Sequence, residues 1–169
     1  MKLAYVRSDN SGQVNLLLSN AAYELIERGV KVVGTIQIDT QRSDTNKCDM
    51  DVRVLPHGDT FRISQNLGPN ARGCRLDTDG LERAVAQTVA QLDNAELLII
   101  NKFGKHEASG RGFRELIAEA LAGDIPVLVG TNAMNLAAFL AFCDNQATYL
   151  SPDPDDLMNW LRPKPYQVA

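Results

Sequence analysis

The first 38 residues constrain the fold more than any other part of the chain. A short apolar run, Leu3-Ala4-Tyr5-Val6, gives way to the polar, glycine-bearing stretch Arg7-Ser8-Asp9-Asn10-Ser11-Gly12-Gln13. Val14, Leu17, Leu18, Ala21, Ala22, Leu25 and Ile26 then recur at helical spacing, and Gly29 supplies a C-terminal stop. Residues 30–38 are rich in β-branched side chains and read as a second strand. Strand, polar turn, helix, glycine and strand make a βαβ unit, whose crossover is right-handed.

The rest of the chain continues the alternation after a less regular middle. Residues 39–50 read as a polar loop. Residues 52–55 and 60–63 flank Pro56-His57-Gly58-Asp59 and predict a hairpin. A loop at residues 68–73 leads to a helix capped by Asp77 or Thr78 and ending near Leu92. Residues 96–100 form a nearly continuous apolar run, as a strand covered on both faces does. Residues 101–111 read as a polar loop, 113–122 as a helix closed by Gly123, 126–129 as a strand and 134–142 as a helix. A short strand at 148–150 and a terminal helix started by Ser151-Pro152-Asp153-Pro154 complete the order. The expected fold class is α/β: a three-layer, mostly parallel sheet flanked by helices, with a β-hairpin insertion and one domain over residues 1–169.

Composition narrows the function classes. In 169 residues, 44% hydrophobic and 22% charged, the chain can bury a sizeable core, which argues against disorder. With 17 Lys+Arg against 21 Asp+Glu the net charge is −4, so no nucleic-acid partner is expected. Cys48, Cys74 and Cys143 are widely spaced and contain no C-x-x-C pair, which fits reduced thiols in the cytoplasm. No apolar stretch approaches the roughly 20 residues of a membrane span, and no membrane partner is expected.

In open α/β sheets ligands bind outside the carboxyl ends of the strands. Four loops should therefore converge there, at residues 7–13, 37–48, 101–111 and 130–133. The first precedes a helix N-terminus, where unpaired N–H groups and the dipole favour an anion; backbone groups around Asn10, Ser11, Gly12 and Gln13 are its candidate cradle. Aligned to the Walker pattern G-x-x-x-x-G-K-[ST] with Gly12 as second glycine, the other defining positions are Arg7, Gln13 and Val14. The strand that would carry a Walker B aspartate ends in Asn101. Without the lysine and the hydroxyl, conventional triphosphate hydrolysis is not expected. A helix start whose polar residues merely satisfy the backbone is the plain alternative.

The third loop gathers Lys102, Lys105, His106, Arg111 and Arg114 within thirteen residues, with Glu107 and three glycines among them. A local basic excess in an acidic chain suits an anionic ligand or an acidic partner surface, and equally a solvated loop. Asn101, Lys102 and Lys105 join the candidate site on this ground. Cys48, Cys74 and His57 could meet in a soft-metal or oxyanion site, but no pair has finger-like ligand spacing, so no metal is expected. Asp49 and Asp51, flanking Met50, are not read as a carboxylate dyad.

Three stretches in combination carry a family resemblance: Cys48-Asp49-Met50; Ile63-Ser64-Gln65-Asn66-Leu67-Gly68-Pro69 continuing through Gly73-Cys74-Arg75-Leu76-Asp77; and Asn101-Lys102-Phe103-Gly104-Lys105 with Glu107 and Gly110. The chain resembles, over nearly its whole length, an uncharacterised bacterial domain-of-unknown-function family (family 2478). That family is similar in outline to P-loop nucleoside triphosphatases, and its genes tend to lie near molybdenum uptake or nitrogenase functions. The resemblance implies a P-loop NTPase-like fold and a link to molybdenum metabolism, with no established activity. Three readings follow. The first is a P-loop-like protein with degenerate Walker motifs that binds a nucleotide or oxyanion. The second is an accessory protein that contacts another protein through the basic loop, with a separate surface for a homodimer. The third is an unconventional nucleoside triphosphatase.

Overall fold

Asn10 opens the first helix by accepting the Gly12 N–H on its side chain, 3.1 Å away, and the helix ends where Gly29 turns to φ +85°. The computed structural model describes residues 2–8, 10–43, 48–68, 70 and 72–162. The elements run β1 (Leu3–Arg7), α1 (Ser11–Glu27), β2 (Val32–Gln41), β3 (Cys48–Leu55), β4 (Thr60–Arg62), α2 (Thr78–Val89), β5 (Leu97–Phe103), α3 (Lys105–Ala108), α4 (Arg114–Ala122), β6 (Val127–Thr131), α5 (Ala133–Phe142), β7 (Thr148–Leu150) and α6 (Pro154–Leu161).

Among the described residues, seven strands form one sheet in the order β4-β3-β2-β5-β6-β1-β7. The run from β2 to β7 is parallel, with Leu3 opposite Val127 and Val32 opposite Leu97. Strands β3 and β4 extend it antiparallel. The period-2 pleat sends Leu97 and Ile99 to one face and Leu98 and Ile100 to the other. Helices α1 and α6 cover the first face, with Leu18, Ala22 and Leu157 against Val6, Ile36 and Leu128. Helices α2, α4 and α5 cover the second, with Leu81, Ile117 and Phe139 against Val33, Ile100 and Val129. Each fully buried Leu or Ile contributes about 1.5–3 kcal/mol of transfer free energy. The expected three layers and alternating order are present.

Two expectations need correction. Both ends of the polar loop at 39–50 are strand among the described residues: β2 runs on to Gln41 and β3 begins at Cys48, pairing from Gly34–Leu55 to Gln41–Cys48. The hairpin at Pro56 is present as β3–β4, with a cis Leu55–Pro56 bond, but it is the outer half of a three-stranded meander. The arm is polar because charge holds it: residues two apart on a strand share a face, and Arg62 reaches both Asp49 (3.0 Å) and Asp51 (2.5 Å). Second, the loop expected at 101–111 is strand through Phe103 and then the short helix α3. Phe103 continues the strand because its ring is fully buried, 5.2 Å from that of Phe139.

Candidate functional site

The four loops expected to converge do so. One crevice of about 230 Å³ opens at the carboxyl ends of the parallel strands. It is reached by Ser8 after β1, Gln37 and Asp39 of β2, Asn101 and Lys102 of β5, and Thr131 and Asn132 at the end of β6. Val14 and Asn15 of α1 floor it on one side, and Cys48, Met50 and Arg75 wall it on the meander side. The Arg75 guanidinium donates to the Cys48 carbonyl at 2.7 Å, which fixes that cation beside the crevice. Arg75 owes its place to pairing beyond β4: the Ile63 N–H bonds to Met50, and the Gln65 N–H bonds to the Arg75 carbonyl, so residue 75 lies one strand further out.

At the heart of the crevice four side chains close a ring. Asp39 accepts from the side-chain amides of Asn15 and Gln37, both at 2.8 Å. Asn15 in turn accepts from the Asn101 amide at 2.9 Å, and the Asn101 carbonyl accepts the Gln37 backbone N–H at 3.0 Å. A carboxylate only accepts, so Asp39 fixes which way Asn15 points, and Asn15 fixes Asn101. Asn101 is 2% exposed and joins α1, β2 and β5. Its side chain therefore does structural bonding, holding the three elements together.

The start of α1 is bonded within itself. Asn10 donates its backbone N–H to Ser8 Oγ at 3.1 Å, and its side chain takes the Gly12 N–H. The Gln13 N–H bonds to the Asn10 carbonyl at 3.1 Å, and Ser8 Oγ donates to the Gln13 side chain at 2.7 Å. Ser11 opens the helix, and its side chain lies outside the described residues, as does Asp9. Val14, which the sequence alignment set at the Walker hydroxyl, is core. Gln13, at the lysine position, borders a different hollow of about 210 Å³ between α1 and α6, beside Leu16, Leu17, Pro154 and Met158.

The basic segment separates in space. Lys102 lines the crevice, and Lys105 is exposed at the start of α3 outside its lining. His106 is buried, with Nε2 2.7 Å from the Glu82 carboxylate, and Arg114 lies over the Phe142 ring at 4.6 Å. Of the seven candidate residues, then, Asn101 and Lys102 line the crevice, while Asn10, Gly12, Gln13 and Lys105 do not. Asn15, Asp39 and Arg75, which the motifs did not single out, do.

Two of the glycines of this segment, Gly104 and Gly112, lie against Glu107. Its carboxylate, 3% exposed, accepts the Gly104 N–H at 2.9 Å and the Phe113 N–H at 3.3 Å. Gly112, at φ +61°, passes so close that a Cβ there would meet Glu107 Oε1 at 2.2 Å. Burial pushes the Glu107 carboxyl above its ordinary value of 4.5, against the backbone N–H groups that pull it down. A carboxyl raised on folding favours the folded state most below that ordinary value, and the contribution falls as pH rises through the raised value. Glu107→Gln removes this slope and turns an amide N–H toward one of two donors. The variant is expected to be about 1–3 kcal/mol less stable at pH 5, with the gap narrowing toward pH 8, as read by urea denaturation across that range. A gap constant in pH would show that Glu107 stays ionised throughout.

The soft-metal trio is not assembled. His57 sits in the turn after β3, roughly 25 Å of strand from Cys48 at its start. Cys74 neighbours Arg75, about 10 Å from Cys48 across two strand spacings, beyond disulfide reach. Among the described residues no three His, Cys, Asp or Glu side chains gather as metal ligands, and no helix is long and apolar enough to cross a membrane.

Comparison with known proteins adds the lineage. A family model described as "Protein of unknown function (DUF2478)" matches residues 3–160. Over 152 residues, 88% of this chain, the sequence is 33% identical to the molybdenum import ATP-binding protein ModC 2 of Bradyrhizobium diazoefficiens, and the match spans 17% of that protein's length. The solution structure of a human cancer-related nucleoside triphosphatase superposes with a TM-score of 0.63 at 17% identity, covering 95% of this chain and 94% of that one. The crystal structure of THEP1 from the hyperthermophile Aquifex aeolicus gives 0.64 at 13% identity, covering 95% of each. These two likenesses show that the chain shares the fold of both proteins, a mostly parallel sheet flanked by helices.

Proposed function

The chain belongs to the DUF2478 family, and from that premise we propose that it binds an anionic small molecule, a nucleotide or a free oxyanion, in the crevice at the strand ends, without conventional triphosphatase chemistry. The observation that carries the reading is the convergence of Lys102 and Arg75 on a crevice to which all four strand-end loops contribute. An α/β sheet places ligands at this edge, and two cations there favour negative charge. The residues at the Walker positions support the negative half. Gln13 borders another hollow, Val14 is core, and the Asn101 amide is held between Asn15 and Gln37.

The likeness to a molybdenum import protein supports a role as an accessory in molybdenum metabolism. Because the match spans 17% of that protein, the role comes from part of it only. Calorimetry on the purified chain with ATP, GTP, molybdate and phosphate tests the reading. Saturable binding of at least one, weakened tenfold or more by Lys102→Met, is the expected result. Heat of dilution alone from all four removes the proposal. Phosphate release from ATP with magnesium is expected to stay at the background rate, and turnover above it would restore the hydrolase reading.

A further inference from the structure

Resting on the crevice as an anion site, we infer that its ligand is a small tetrahedral oxyanion of one or two negative charges, held between Lys102 and Arg75, and not a nucleoside triphosphate. Volume is the first ground. The crevice offers about 230 Å³, below the roughly 300–1,000 Å³ of pockets that bury a drug-sized ligand.

Lining chemistry is the second. Among the described residues that line it, the side chains are amides, hydroxyls, two sulfurs, Val14 and three charged groups, with no aromatic ring on which a base could stack. The charged groups are Lys102, Arg75 and Asp39, two cations against one carboxylate. That balance suits a mono- or dianion and leaves most of a triphosphate's charge uncompensated. Asp39 is itself fixed by Asn15 and Gln37, so it stands as a constant negative element on the β2 wall. It discriminates against any ligand that brings more charge than the two cations hold.

The third ground is the helix start. A triphosphate in a P-loop lies along backbone N–H groups that wrap its phosphates. Here the Asn10, Gly12 and Gln13 N–H groups bond to Ser8 and Asn10 oxygens, so a chain of phosphates meets donors already engaged. Lys102 of β5 and Arg75 of the segment beyond β4 are the cations that line the crevice instead. Arg75 gives one N–H to the Cys48 carbonyl, which orients its planar fork while leaving other donors of the guanidinium for an oxyanion edge.

Cys48 supplies a footprint of occupancy, since it lines the crevice and is partly buried, whereas Cys74 is exposed. The test uses the full chain with sulfate, inorganic phosphate, molybdate and ATP as probes, by calorimetry and by iodoacetamide labelling read by peptide mass. The expected result has three parts. At least one small oxyanion binds tenfold or more tightly than ATP. The same anion slows alkylation of Cys48 fivefold or more with Cys74 as unchanged internal control. Lys102→Met and Arg75→Gln each weaken it about tenfold, which is 1.4 kcal/mol. Arg75 also anchors a carbonyl, so thermal unfolding accompanies that variant, and Lys102, exposed at a strand end, carries the conclusion if Arg75→Gln does not fold.

The outcomes separate the two claims. ATP binding more tightly than every small oxyanion, with Lys102→Met weakening it, overturns this inference and leaves the anion crevice standing. Binding of none of the four probes overturns both. A small oxyanion that binds without protecting Cys48 and without sensing Lys102 sits elsewhere, and overturns both as well.

Discussion

Gly34→Ala is expected to lower the stability of the chain by about 3–5 kcal/mol, the largest effect of any single methyl addition in the sheet. Gly34 lies on β2 at φ +127°, where L side chains are strained, and an added Cβ would stand 1.8 Å from the Ile99 carbonyl oxygen of β5. The obstacle is the backbone of Ile99, itself fully buried, which has no rotamer through which to yield. Relief requires β2 and β5 to part at the join between the parallel sheet and the meander. Gly73→Ala is the control: its added Cβ meets nothing within 4 Å, and the change is expected to stay within about 0.5 kcal/mol. Urea midpoints for the two variants read the difference directly. A Gly34→Ala midpoint equal to that of wild type would mean that the strands do not approach as described.

Asn101→Asp restores on paper the residue type of a Walker B strand end, and it is expected to destabilise the chain by about 2–4 kcal/mol at pH 7. The new carboxylate keeps the Gln37 N–H but faces Asn15 Oδ1, an acceptor that cannot turn away while its amide donates to Asp39. Burial at this 2%-exposed position raises the folded-state value of the new carboxyl above the unfolded value of about 3.9. The penalty is therefore absent below about pH 4 and grows as pH rises toward the folded-state value. Protonation also rescues the geometry, because a carboxylic O–H can donate to Asn15. Stability of the variant relative to wild type, followed from pH 4 to pH 8, should fall steadily. Equal stability at pH 7 would show that the ring is not a fixed unit. No triphosphate hydrolysis is expected to appear with the carboxylate, since the lysine and hydroxyl positions remain Gln13 and Val14.

The sequence speaks clearly where one element's own pattern decides its fate. The apolar stripe of α1 and the Gly29 stop are local signals, and the doubly buried strands at 97–100 and 127–129 admit few alternatives. Once those strands are parallel, the convergence of four loops follows from topology alone. The β2–β3 extension was hidden because Asp39, Asp49 and Asp51 have poor strand propensity, and pairing and the Arg62 contacts to Asp49 and Asp51 hold the strands together. Arg75 was hidden for the same reason, since it reaches the crevice through pairing with Gln65 and a bond to Cys48, 27 positions earlier. The basic segment misled in the opposite sense. Neighbours in sequence, Lys102, His106 and Arg114, turn to the crevice, to Glu82 and to Phe142, so a charge cluster along the chain is not a charge cluster in space.

Among the described residues β3 and β4 join the parallel strands through β2, and the segment bearing Arg75 pairs beyond them, while Lys102 stands on β5 at the sheet's centre. A ligand touching both cations would act as a strut between a peripheral unit and the core. Amide hydrogens of β3 and β4 should then exchange more slowly in its presence while those of β6 and β1 hold their rate, turning the edge of the sheet into a reporter of what lies in its middle.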